Sequence, residues 1–156
     1  MTDTLPNYVL LPADLHDLSQ LRMIEKVCFL EDAWPLIELI AVLMLPGLVK
    51  VKAQVGTTMV GFVGGDAHRS QGIGWITTLG VLPEYRRLGI ATALLRACEK
   101  AMRMPIVRLS VRKSNRSAQH LYFERGFQQV ETWERYYEGG EDALVLEKKI
   151  ILAKDS

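Results

Sequence analysis

Six residues, Arg86-Arg87-Leu88-Gly89-Ile90-Ala91, carry the most specific chemistry in the chain. They follow an apolar run, Trp75 to Val81, and open an amphipathic segment from Thr92 to Arg103. A glycine turn between a strand and a helix N-terminus is a ready anion site, because unpaired backbone N–H groups and the positive helix end converge there. Two arginines add charge beside those amides. The chemistry that fits is a pyrophosphate held mostly by backbone. A nucleotide P-loop needs glycine at both ends and a Lys-Ser/Thr pair, and the segment has neither. The dinucleotide fingerprint needs three glycines, and the loop holds only Gly89.

The elements that must position this loop read as an alternating series. Tyr8 to Leu11 is a short strand, and Pro12-Ala13-Asp14 starts a helix to about Phe29 with Leu15, Leu18, Leu21, Ile24 and Val27 on one face. Leu36 to Leu45 is a second helix stopped by Pro46-Gly47. It is apolar almost all round, so it is either fully buried or covers a partner or substrate groove. Leu48 to Val55 and Thr58 to Ala67 form a hairpin, and Ile73 to Val81 is the central strand. The helix from Arg87 to Arg103 buries Ile90, Leu94, Ala97, Cys98 and Ala101 and turns Arg96, Glu99, Lys100 and Arg103 to water. Ile106 to Arg112 alternates as a strand, Ser114-Asn115 caps a helix from Arg116 to Arg125, and Phe127–Tyr137 with Asp142–Ile150 closes the chain as a hairpin. The order is β-α-α-β-β-β-α-β-α-β-β, an α/β (mixed α+β sheet) domain.

With 156 residues the chain suits one domain, 1–156, with a single core. A net charge of +1 gives no field for nucleic acid or an acidic membrane. Basic residues cluster only locally, at Arg86/Arg87 and at Arg108, Arg112, Lys113 and Arg116, which suits a small anion. The two cysteines, Cys28 and Cys98, have no CxxC neighbour and no His at metal spacing, so a reducing cytoplasmic setting and no metal are expected. Met1 to Asn7 does not read as a secretory leader, and the apolar stretch Leu36–Leu45 is too short to span a bilayer.

Four segments resemble the GNAT N-acetyltransferases: Leu79 to Ala91, with the Arg/Gln-x-x-Gly-x-Gly/Ala loop; Val111 to Tyr122; Gly126-Phe127; and Arg135 to Ala143. The second and fourth are similar to the RimI-like and Ard-type enzymes that acetylate protein N-terminal α-amines. The resemblance implies a mostly antiparallel sheet that splays between the fourth and fifth strands, with flanking helices. It implies acetyl-coenzyme A as co-substrate, with the pantetheine arm along Leu79, Gly80 and Val81. The Val81 N–H would polarise the thioester carbonyl, and the amides of Arg87, Leu88, Gly89, Ile90, Ala91 and Thr92 would hold the pyrophosphate, with Arg86 beside them. Asn115 would hydrogen-bond the arm, although its position also suits a helix N-cap. Tyr122 would protonate the leaving thiolate, although it also suits a packed aromatic.

The same resemblance implies that Tyr136 and Tyr137 clamp the acceptor peptide. The glutamate that serves RimI-like enzymes as general base on the fifth strand is replaced here by Ser110. Glu31, in Phe29-Leu30-Glu31-Asp32, resembles the Leu-Pro-Glu-Asn loop of Ard-type enzymes and is the alternative base. The expected partner is a peptide or protein N-terminus, taken up by a monomer or homodimer. A small amine or a lysine side chain as acceptor, or a non-catalytic coenzyme-binding subunit, are the competing readings.

Overall fold

The structure, a computed structural model, describes residues 7–152. Seven strands form one sheet in the order β1-β2-β3-β4-β5-β7-β6. They are β1 (Val9–Pro12), β2 (Leu48–Val55), β3 (Thr58–His68), β4 (Ile73–Val81), β5 (Ile106–Arg112), β6 (Gln128–Trp133) and β7 (Ala143–Lys149). All neighbours pair antiparallel except β4 with β5, which are parallel. Helices α1 (Leu18–Phe29), α2 (Leu36–Met44), α3 (Ile90–Met102) and α4 (Arg116–Glu124) fall where periodicity and capping place them. The mixed, mostly antiparallel sheet with flanking helices is the expected architecture.

The sheet is covered on both faces. One core cluster joins Leu94, Leu95, Cys98 and Met102 of α3 to Val63, Ile76, Val107 and Leu109 of the sheet. A second joins Leu21 and Ile24 of α1 and Leu39, Val42 and Leu43 of α2 to Met59 and Phe62. β5 alternates as its sequence implies, with Val107, Leu109 and Val111 buried.

The helices depart from their expected faces in three places. On α1 the buried line is Leu21, Ile24 and Glu25, while Leu15, in the preceding 3-10 turn, and Val27 are exposed. The chain enters α1 through that separate turn, Leu15–Asp17, so Leu15 does not continue the α1 stripe. On α3, Leu95, Met102 and Glu99 are buried and Ala101 is exposed. Glu99 leaves water because Lys148 of β7 brings its Nζ within 3.3 Å of both carboxylate oxygens. On α2, Leu36, Ile37 and Met44 remain exposed, so the helix is apolar on its outer face as well as its inner one.

Helix α3 lies close on the sheet because β3 has glycine beneath it. A Cβ on Gly65 would fall 2.5 Å from Cys98 Sγ and 2.9 Å from Met102 Sδ. Gly65→Ala should therefore overpack this contact, cost about 1–3 kcal/mol and lower the thermal midpoint by roughly 2–12 °C. A midpoint equal to that of the unsubstituted protein would show that α3 can shift without loss.

Candidate active site

β4 and β5 pair only at Ile73–Ile106, Gly74–Val107 and Trp75–Arg108. Beyond these three positions the strands part, and two clefts open into the gap. The larger, about 840 Å³, is lined by Leu79, Gly80 and Val81 of β4, by Arg86, Arg87 and Gly89 through Thr92, and by Asn115 and Tyr122. The smaller, about 500 Å³, is lined by Glu25 of α1, Asp32 and Trp34 of the α1–α2 connection, Thr78 of β4, Ser110 and Arg112 of β5, and Tyr136, Tyr137 and Glu141 of the last hairpin. Cys28, Phe29, Leu79, Asn115, Ala118 and Tyr122 border both.

The larger cleft brings together most of the residues expected to hold the donor. Gly89 takes φ 82° at the N-cap of α3 and Arg87 takes φ 63°, so the loop coils tightly before the helix begins. The first-turn N–H groups are left without intrahelical partners. Leu88 packs towards the core and does not line the cleft. The Val81 carbonyl accepts from Arg86 Nε at 3.0 Å and from the Cys28 thiol at 3.4 Å. It therefore faces the gap and not β3. The Val81 N–H points the same way, since both groups of one strand residue share an edge.

At the junction, Tyr122 of α4 is buried and stands edge-on to Phe127, with ring centroids 5.7 Å apart. Its hydroxyl has no hydrogen-bond partner among the described residues. Burial pushes its pKa up, so the phenol keeps its proton throughout the neutral range and is a donor. Asn115 Oδ1 accepts from Ala118 N at 3.2 Å, which makes it the α4 N-cap. Its amide nitrogen stays available to the larger cleft, so the cap and a coenzyme contact are compatible. His120 is exposed, with its Nε2 3.1 Å from Glu124 Oε1.

In the smaller cleft, the Tyr137 hydroxyl donates to Ser110 Oγ at 3.3 Å. Trp75, Trp133, Tyr136 and Tyr137 form a run of ring contacts, with successive centroids 5.8, 5.0 and 5.1 Å apart. Arg112 closes the mouth. Its Nε and Nη2 grip the Asp32 carboxylate, its Nη1 donates to Glu141 Oε2 at 2.8 Å, and its guanidinium lies 4.7 Å from the Tyr137 ring centroid. The α1–α2 connection is thereby tied to the last hairpin. Local basic clustering does not make a general anion site here, because Arg108 is likewise paired, with Glu147 at 2.7 Å.

The backbone of Glu31 lies in the turn Leu30–Asp32, and its side chain lies outside the described structure. No residue of α2 lines either cleft.

Sequence reasoning missed Glu25. This residue is 1% exposed, accepts from the Thr78 hydroxyl at 2.9 Å through Oε1, and leaves Oε2 without a hydrogen bond. Burial raises its pKa, and the bond from Thr78 and the nearby Trp34 N–H only partly oppose this. The signal was a lone glutamate between Leu21 and Cys28 on an apolar helix face. Among the described residues no group of three or more potential metal-ligating side chains occurs, and no helix is long and apolar enough to cross a membrane.

Arg112→Ala should release the clamp. The expected loss is about 1–3 kcal/mol, with faster proteolysis at 30–35 and 134–141, and unchanged cleavage would show that the two loops are held independently. The Glu141 carboxyl is held below its ordinary range by the Ser114 side chain, by Arg112 and by the Ser114 backbone N–H. A depressed folded-state pKa adds stability above the unfolded value and loses it as pH falls through the folded one. Cleavage should accordingly stay slow from neutrality down through the ordinary carboxylate range and rise only below it.

The profile of the Acetyltransferase (GNAT) family matches residues 16–127. The chain is 32% identical over 145 residues to the N-terminal acetyltransferase A complex catalytic subunit NAA10 of Arabidopsis thaliana, covering 88% of this chain and 76% of that protein. It is 46% identical over 77 residues to an N-alpha-acetyltransferase of Sulfurisphaera tokodaii, a match that spans 47% of this chain and about half, 46%, of that relative. The fold superposes with a TM-score of 0.84 and 21% identity on the ribosomal-protein-S18-alanine N-acetyltransferase of Escherichia coli, covering 96% of this chain and 97% of that one. By the extent of the profile match and by the fold, the chain belongs to the GNAT acetyltransferase family.

Proposed function

We propose that this protein transfers acetyl from acetyl-coenzyme A to the N-terminal α-amine of a peptide or protein, by direct attack with both substrates bound. The observation that carries this reading is the meeting of the two clefts at Tyr122 through the β4–β5 gap. A donor along one side and an amine from the other would come together there, and no enzyme nucleophile is required. Similarity to proteins named as N-alpha-acetyltransferases supports the acceptor class.

The roles follow from placement. The N–H groups of Arg87 to Thr92, with Leu88 contributing only backbone, would hold the pyrophosphate at the start of α3, with Arg86 anchoring the strand end. Leu79, Gly80 and Val81 would hold the arm, and the Val81 N–H would face the thioester carbonyl. Asn115 would add a side-chain donor. Tyr122 would donate to the departing sulfur. Because burial keeps this phenol a weak acid, its main service is a hydrogen bond to the thiolate while the sulfur's proton arrives. Tyr136 and Tyr137 would bracket the acceptor backbone. Glu31 is the carboxylate that family resemblance nominates to receive the amine's proton. That demand is modest, since about a tenth of an α-amine is neutral at pH 7 whereas a lysine is almost fully charged. The free thiols of Cys28 and Cys98 suit a reducing cytoplasmic setting.

A second reading, a small cationic amine as acceptor, draws on the carboxylates Asp32 and Glu141 at the mouth of the smaller cleft. Arg112 already pairs with both and offsets half of their charge, which weakens the site for a polycation and favours the peptide.

Acetyl transfer should be measured with short peptides bearing free or blocked N-termini, beside spermidine and free lysine. Turnover confined to free N-termini is expected, and activity on the amines alone would discard the peptide reading. Tyr122→Phe should lower kcat by about 10²-fold with coenzyme affinity nearly kept. A variant with full kcat would remove Tyr122 from the chemistry.

A further inference from the structure

A reaction that begins with an ammonium group must place a proton somewhere, and β5 offers only Ser110 where a carboxylate would serve. Ser110 is itself occupied as the acceptor of the Tyr137 hydroxyl. The wall of the smaller cleft holds one carboxylate that is neither ion-paired nor fully hydrogen-bonded among the described residues, that of Glu25. Asp32 and Glu141, the other described carboxylates of that wall, are spent on Arg112.

We propose that Glu25 is the general base, receiving the proton that the acceptor's α-ammonium loses at the floor of the smaller cleft. The proposal deepens the peptide-acetylation reading and rests on it. The Thr78 hydroxyl donates to Oε1 and fixes the carboxylate in one orientation, and Oε2 is left to meet the amine. Thr78 lies on β4 next to Leu79, where the clefts join, so the carboxylate stands behind the strand the donor would follow. A carboxylate buried with an unmet lone pair is costly, and an incoming ammonium relieves that cost.

The proton balance closes. The ammonium gives one proton to the Glu25 carboxylate and becomes a neutral amine. The nitrogen–carbon bond then forms, the carbon–sulfur bond breaks, and the nitrogen's second displaced proton ends on the thiol. Glu25 releases its proton to solvent as the product leaves, which accounts for the one proton liberated per turnover.

The titratable and charged groups that line the cleft with this carboxylate are Cys28 on its own helix, Asp32 in the following turn, Arg112 of β5, Tyr122 of α4, and Tyr136, Tyr137 and Glu141 of the last hairpin. Cys28 is the one whose ordinary value lies near the tested pH range, and burial pushes its thiol up.

The test is kcat/KM for a free-N-terminus peptide between pH 6 and 9, for the wild type, Glu25→Gln and Glu31→Gln. Without its base the enzyme must wait for amine that is already neutral. Glu25→Gln should therefore fall short of the wild type by roughly 100-fold at pH 6 and 10-fold at pH 7, closing to near parity by pH 9. Coenzyme A binding should persist. A purely structural role for Glu25, through Thr78 or the Trp34 loop, would give a deficit constant with pH, and that result overturns the proposal. So does a pH-dependent deficit in Glu31→Gln with none in Glu25→Gln.

Glu25→Asp withdraws the carboxylate by one methylene and answers the question if the glutamine variant does not fold. A severalfold loss at pH 6 that shrinks with rising pH supports the assignment, and wild-type rates throughout refute it. Wild-type turnover with parallel variant profiles sinks Glu25 alone. A wild type inactive on every free N-terminus sinks the peptide reading and this assignment with it.

Discussion

The parting of β4 from β5 governs the rest of this structure. Three registered pairs hold the two strands together at Ile73, Gly74 and Trp75, and then pairing stops although both strands continue. The separation is sustained because each strand is fastened on its other edge. β4 pairs along β3 to Val81, and every residue of β5 from Ile106 to Arg112 pairs with β7. Backbone groups exposed in such a gap need partners. Arg86 and Cys28 both serve the Val81 carbonyl, which stiffens the strand end beside the larger cleft.

Around this gap the fold assembles supports from distant parts of the chain. Gly65 lets α3 lie close to the sheet, and this sets where the N-terminal amides of the helix point. α4 carries both Asn115 and Tyr122, one at its cap and the other two turns on, so a single helix contributes to both clefts. Arg112, extending from β5, ties the α1–α2 connection to the closing hairpin and stacks on Tyr137. The mouth of the smaller cleft is thus defined by one side chain acting on two loops.

Charge is used inwardly in this nearly neutral molecule. Lys52 with Asp17, Arg108 with Glu147, Arg112 with Asp32 and Glu141, and Lys148 with Glu99 are all pairs between separate elements. Among the described residues Glu25 is the exception for a buried carboxylate, with Thr78 in place of a cation. A buried acid without a counter-ion is poorly suited to holding a fold together and well suited to exchanging a proton.

The local chemistry of the chain by itself determined the element order, the glycine turn at Gly89, the cap at Asn115 and the alternating faces of β5. Those features follow from interactions among near neighbours: helical and strand periods, a positive-φ residue, a side chain that bonds three residues ahead. The loop Arg86–Ala91 and the Asn115–Tyr122 spacing made the lining of the larger cleft legible for the same reason. The lining of the smaller cleft was decided by tertiary structure. Glu25 meets Thr78 across 53 positions, Glu99 meets Lys148 across 49, and Arg112 meets Asp32 across 80. Periodicity states which way a side chain points along its own element and says nothing of what another element brings opposite it. For apolar residues that ignorance is harmless, because burial needs only any apolar neighbour. For a carboxylate or a guanidinium the partner is the whole difference between a solvated charge, a structural tie and a group that can move a proton.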